Sequence, residues 1–93
     1  MAVHIISYDL ENPGQDYEEL HDAIKSFSSY SHILDSTWLI DTSETDAGEI
    51  RDDLKPHIDT NDRLFVTRMP DSGGARWGTT FSDEHTEWLK EHL

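Results

Sequence analysis

The eight residues Ala2 to Asp9 constrain this chain more than any other stretch. They alternate and are rich in Val, Ile and Tyr, the pattern of a β-strand. Both faces of that strand carry apolar groups: Val3 and Ile5 on one, Ile6 and Tyr8 on the other. A sheet built on it has to be covered on two sides. Helices can cover one face. The economical cover for the other is a second subunit, because an open apolar sheet face promotes association.

The following segments supply the helices. Asn12-Pro13-Gly14 reads as a turn, and Asp16 with Glu19 three residues on has capping-box spacing. Tyr17, Leu20, Ile24 and Phe27 then form one apolar stripe on a helix ending near Ser28-Ser29. From His32 to Asp41 the chain is extended, with a break near Asp35-Ser36. Leu34, Trp38 and Ile40 fall on one face and Leu39 on the other. Ser43 to Thr45 offers N-cap hydroxyls for a second helix carrying Ala47, Ile50, Leu54 and Ile58, with Pro56 in or just after its last turn. A polar turn at Asp59 to Asp62 leads into a short buried strand, Leu64 to Thr67. The order predicts an α+β fold, βαβ(β)αβ, whose parallel-type crossovers put two helices on one face of a small sheet. Residues 1–69 make this core, and 70–93 add a loop and a C-terminal helix from Ser82 to His92, with Ser82 as N-cap.

Ninety-three residues make one domain with a thin stability margin, which again favours a homodimer. There are no cysteines, so disulfides and thiolate metal sites are excluded. The N-terminus lacks the basic and long apolar regions of a signal peptide, and no run reaches the length of a membrane span; a cytoplasmic protein without a membrane partner is expected. Twenty Asp plus Glu oppose seven Lys plus Arg, a net charge of −13. Such a surface repels phosphate backbones at ordinary salt. It also suits a halophilic setting, where molar salt screens repulsion within about 3 Å.

Asp9 closes the first strand in Ser7-Tyr8-Asp9-Leu10, where a carboxylate can hold a hard divalent cation or accept backbone hydrogen bonds in a turn. The six histidines show no metal-ligand spacing. Ser7, Ser36 and Thr37 have no His and acid partner legible in sequence. Gly73-Gly74-Ala75-Arg76 is not a phosphate loop. Arg63, Arg68 and Arg76 could gather into a nucleic-acid-binding patch, or simply neutralise nearby acids. Trp38 and Trp88 read as packing residues; Trp77 has no evident role.

Ile5-Ile6-Ser7-Tyr8-Asp9-Leu10, Ser36-Thr37-Trp38-Leu39-Ile40, Arg51-Asp52-Asp53-Leu54 and Asp62-Arg63-Leu64-Phe65-Val66 resemble the small CRISPR-associated endonuclease, Cas-two. Asn12-Pro13-Gly14-Gln15-Asp16-Tyr17, His32-x-Leu34-Asp35-Ser36-Thr37-Trp38 and Trp88-Leu89-Lys90 are similar to the SinR-like group of the same presumed fold. The resemblance implies a ferredoxin-like domain that dimerises through its sheets, with Asp9 as the metal-binding and catalytic residue for Mg²⁺ or Mn²⁺. Here the tail reads as a helix where the endonucleases add strands, and the charge is acidic where theirs is basic. Two readings follow. One is a dimer acting on or near nucleic acid, DNA or RNA, by metal-dependent phosphodiester hydrolysis. The other is a non-catalytic scaffold or toxin-antitoxin-like module that binds a protein partner.

Overall fold

A computed structural model describes residues 2–11, 17–70 and 77–93. The first strand, β1 (Ala2–Asp9), pairs on both edges and so lies inside the sheet. It is followed by α1 (Glu18–Lys25), β2 (Ser29–Leu34), β3 (Thr37–Thr42), α2 (Ala47–Leu54), a single 3₁₀ turn (Lys55–His57), β4 (Arg63–Arg68) and α3 (Glu84–His92). The sheet is four-stranded, in the order β2-β3-β1-β4, with every neighbouring pair antiparallel. Each of the expected crossovers, β1 to β2 and β3 to β4, joins strands running the same way with one strand inserted between them. The extended stretch 32–41 is thus a hairpin that turns at Asp35-Ser36.

Alternation decides which residues meet which helices. Ile6, Tyr8, Trp38 and Ile40 face α1 and α2, and close a core with Leu20, Ile24, Ile50 and Leu54. Of the stripe expected on α1, Leu20 and Ile24 are buried; Tyr17 precedes the helix, which stops at Lys25, and is only partly buried. Phe27 follows in the turn and still packs on the core. Asp46, not the preceding hydroxyls, caps α2, its side chain accepting from Gly48 N–H at 2.8 Å. Pro56 sits in the 3₁₀ turn, where its fixed φ fits and its missing N–H is not needed.

The opposite face carries Val3, Ile5 and Leu39, and the chain covers part of it itself. Leu89 of α3 is buried there at 2 % exposure, with Met69, Trp77 and Trp88 around it. This accounts for Trp77, and it assigns to α3 a share of the cover expected from a second subunit. Asp83 rather than Ser82 caps this helix, accepting from His85 N–H at 2.9 Å. Polar contacts complete the docking: Trp88 Nε1–H donates to Ser29 Oγ at 2.9 Å, His85 Nδ1 lies 2.8 Å from Ser31 Oγ, and His92 Nδ1 lies 2.5 Å from Asp41 Oδ2.

Two expectations change. Leu34 sits 56 % exposed and lines the apolar cleft with Ile5 and Leu39, away from Trp38 and Ile40, because the β2–β3 register shifts between Ser31 and Leu34. β4 is an edge strand and only half buried: Leu64 and Val66 reach the core, while Phe65 is 63 % exposed. No helix among the described residues is long and apolar enough to cross a membrane. The Asn12-Pro13-Gly14 turn, the Asp16 cap and the Gly73-Gly74 loop lie outside the described residues.

Candidate functional site

Asp9 is the exposed last residue of β1 and stands opposite Arg63, the first residue of β4. Ser7 and Phe65 are the next register pair but one on the same face, and all four line one open cleft. The corner is held from behind by Asp62. Its Oδ1 accepts from Glu11 N–H at 2.9 Å and from the Tyr17 hydroxyl at 3.3 Å, and its Oδ2 accepts from Asp59 N–H at 2.8 Å. The Glu11 amide is the largest of the influences that hold the Asp62 carboxyl below its ordinary value. One carboxylate therefore ties the exit of β1 to the entry of β4. The Asp9 side chain makes no hydrogen bond or ion pair among the described residues, so it is not spent on a turn.

The donor set at this corner is small. A hard cation takes six or more oxygen ligands, and Asp9 supplies one carboxylate; no group of three His, Asp or Glu side chains poised for a metal occurs among the described residues. The described residues of a single chain do not fit Mg²⁺ or Mn²⁺. The arginines are also dispersed. Arg63 and Arg68 sit at opposite ends of β4, about 17 Å apart at strand rise, and five positions of alternation put them on opposite faces. Arg76 lies outside the described residues.

A second polar site was not legible in the sequence. Tyr8, 8 % exposed, projects from β1 toward α1 and receives the Trp38 Nε1–H at 3.1 Å. Its hydroxyl also lies 3.1 Å from His21 Nε2 and 3.4 Å from the Asp35 carbonyl. All three contacts are met at once when His21 donates from Nε2 and Tyr8 donates to Asp35. His32 stacks on Trp38 with ring centroids 3.9 Å apart and contacts the same carbonyl through Nε2 at 3.0 Å. Burial, reinforced by the Asp35 charge and opposed by the Trp38 hydrogen bond, raises the Tyr8 pKa, so the hydroxyl stays a neutral phenol and orients its neighbours. Tyr17, Glu18, Asp22 and Lys25 complete the rim of the cleft beside it, which has a volume of about 570 Å³. The only signal in sequence is an aromatic hydroxyl, Tyr8, at a core-facing position of β1. Tyr8→Phe should cost about 1 to 3 kcal/mol, because the buried Trp38 N–H loses its acceptor; thermal unfolding would measure it.

No protein-family model matches the chain, and no solved structure matches it with significance.

Proposed function

We propose that this chain is a ferredoxin-like, Cas-two-like domain that works as a homodimer on or near nucleic acid, and that its part there is assembly. The βαββαβ order and the β2-β3-β1-β4 sheet support the fold reading. One observation carries the functional reading: Phe65, 63 % exposed on edge strand β4, shares its corner with Asp9 and Arg63. An exposed aromatic flanked by one charge of each sign is self-complementary. In a two-fold pair, Arg63 of one copy can face Asp9 of the other while the Phe65 rings bury each other.

The alternative assembly role is a scaffold or toxin-antitoxin-like module engaging a protein partner through the same corner. Metal-dependent phosphodiester hydrolysis is the second reading, favoured by the exposed and unengaged Asp9. It requires ligands from a second copy, since one protomer supplies a single carboxylate.

Solution mass in molar KCl, for the native chain and Phe65→Glu, tests the assembly reading. The native chain is expected as a dimer and the variant as a monomer of unchanged fold; a native monomer at every concentration would refute it. Labelled DNA and RNA incubated with Mg²⁺ or Mn²⁺ test the other. Cleavage that vanishes in a dimeric Asp9→Ala would put hydrolysis first.

A further inference from the structure

Ser29 and Asp41 stand directly opposite each other on β2 and β3, on the face that α3 covers. α3 lays His92 over this pair. Asp41 is 8 % exposed; its Oδ2 lies 2.5 Å from His92 Nδ1, and its Oδ1 is buried without a hydrogen-bond partner. The carboxylate is thus committed to one ring nitrogen. His92 Nε2, on the other side of the ring, lies 3.4 Å from Ser29 Oγ. The imidazole is held by stacking on Trp88, centroids 4.1 Å apart, and the Trp88 N–H bonds to Ser29 Oγ from a second direction at 2.9 Å.

This is an acid, an imidazole and a hydroxyl in series. Asp41 fixes the tautomer with the proton on Nδ1, which turns the Nε2 lone pair toward the Ser29 hydroxyl proton. The nucleophile and base are within the loose reach usual without substrate, and a third group orients the base. All three residues belong to regular elements rather than loops. The same contacts also fasten α3, but Leu89 and Trp88 already seat the helix on apolar surface, and fastening does not require a carboxylate aimed at the far nitrogen.

We propose that Ser29, His92 and Asp41 form an acyl-transfer site, with Ser29 as nucleophile toward activated acyl esters. Ser29 Oγ attacks the ester carbonyl carbon and its proton passes to His92 Nε2. The tetrahedral adduct then breaks its bond to the leaving oxygen, which takes that proton from His92 and departs as the alcohol. Water attacks acyl-Ser29, giving one proton to His92. Collapse releases the carboxylic acid and returns the proton to Ser29 Oγ. Trp88 N–H, bonded to Oγ, stabilises negative charge there. This site is separate from the Asp9 corner and does not depend on the assembly reading.

The test uses the full chain in molar KCl with two probes: p-nitrophenyl acetate, and a fluorophosphonate that labels a base-activated serine with loss of fluoride. Six histidines give some background ester cleavage, so the labelled residue decides. Peptide mass mapping is expected to place one phosphonate on Ser29, absent from Ser29→Ala and from the urea-unfolded chain. His92→Ala should hydrolyse the ester at least about 100-fold more slowly, the usual contribution of a positioned base, and added imidazole should restore part of the rate. If His92→Ala releases α3, seen as a shift in tryptophan emission, Asp41→Asn decides instead, because it keeps the shape and loses only the charge; its rate should fall at least about tenfold. No label on Ser29, hydrolysis unchanged in Ser29→Ala, or an unchanged rate in Asp41→Asn would overturn the proposal.

Discussion

Trp38→Ala is expected to lower the unfolding free energy by about 3 to 5 kcal/mol, the range for truncating a buried large aromatic. A domain of this length holds roughly 5 to 14 kcal/mol in total at 0.05 to 0.15 per residue, so the variant sits near the edge of folding. Trp38 is 1 % exposed, between Tyr8 and Ile40 on the face that meets α1 and α2. Its ring carries the stacked His32, and its N–H ends on the Tyr8 hydroxyl. The truncation therefore opens a cavity and leaves a buried hydroxyl short of one donor. Urea titration in molar KCl measures the loss. Trp38→Phe, which keeps most of the apolar bulk but not the N–H, should lose distinctly less. A loss below about 1 kcal/mol for the alanine variant would mean that this layer repacks freely.

Acid should weaken the fold through His4, the second large effect. The imidazole is fully buried in the centre of the sheet, and neither ring nitrogen has a hydrogen bond of good geometry. Burial is the main cause that lowers its pKa, and the Arg68 charge acts the same way. The backbone of Ala2 and Thr45 and the charge of Glu44 oppose them without reversing the direction. The folded chain thus prefers the neutral ring. Below about pH 6.5 the unfolded chain takes up a proton that the folded chain refuses, so stability falls as pH drops from there toward the folded pKa. Denaturant midpoints at pH 7.5 and 5.5 should differ clearly in the native chain and much less in His4→Leu. The variant should be at least as stable at pH 7.5, since an apolar group replaces unsatisfied polar atoms. Equal pH dependence in both proteins would show that the effect arises elsewhere.

Much of the architecture is legible because it rests on local periodicity. Val3 and Ile5 against Ile6 and Tyr8, and the stripe Leu20–Ile24, state their own facing before any contact is known. The break at Asp35-Ser36 is equally local, and it is the hairpin turn. What sequence does not carry is register and competition. A hydroxyl and a carboxylate a few residues apart are both plausible caps, and the carboxylates Asp46 and Asp83 win at α2 and α3. Leu34 has the right parity to join Trp38, but a register shift between Ser31 and Leu34 moves it to the other side. Leu64 to Thr67 has the composition of a buried strand. Its edge position depends on the rest of the sheet order.

The functional residues divide along the same line. Asp9 is visible because a strand ends there, and its exposure at the sheet margin agrees with that. The facing of Arg63 and Arg68 follows from parity once β4 is bounded. Ser29, Asp41 and His92 are separated by 12 and 51 positions, and Tyr8 and His21 by 13; only the sheet order and the docking of α3 bring them together.

The central place of β1 has a consequence for how the chain reaches this structure. This strand leaves the ribosome ahead of both its partners, being bonded on one side to residues 37–42 and on the other to residues 63–68. Neither pairing is local, and the second closes a loop of about 60 residues before any of its contacts can repay the lost chain entropy. Folding dominated by such distant pairings is slow, on the order of milliseconds to seconds. A nascent chain on the ribosome would hold Val3, Ile5, Ile6 and Tyr8 as a sticky ribbon until Arg68 has emerged. Below molar salt, where repulsion is not screened, the net charge of −13 keeps such ribbons from finding each other during that wait.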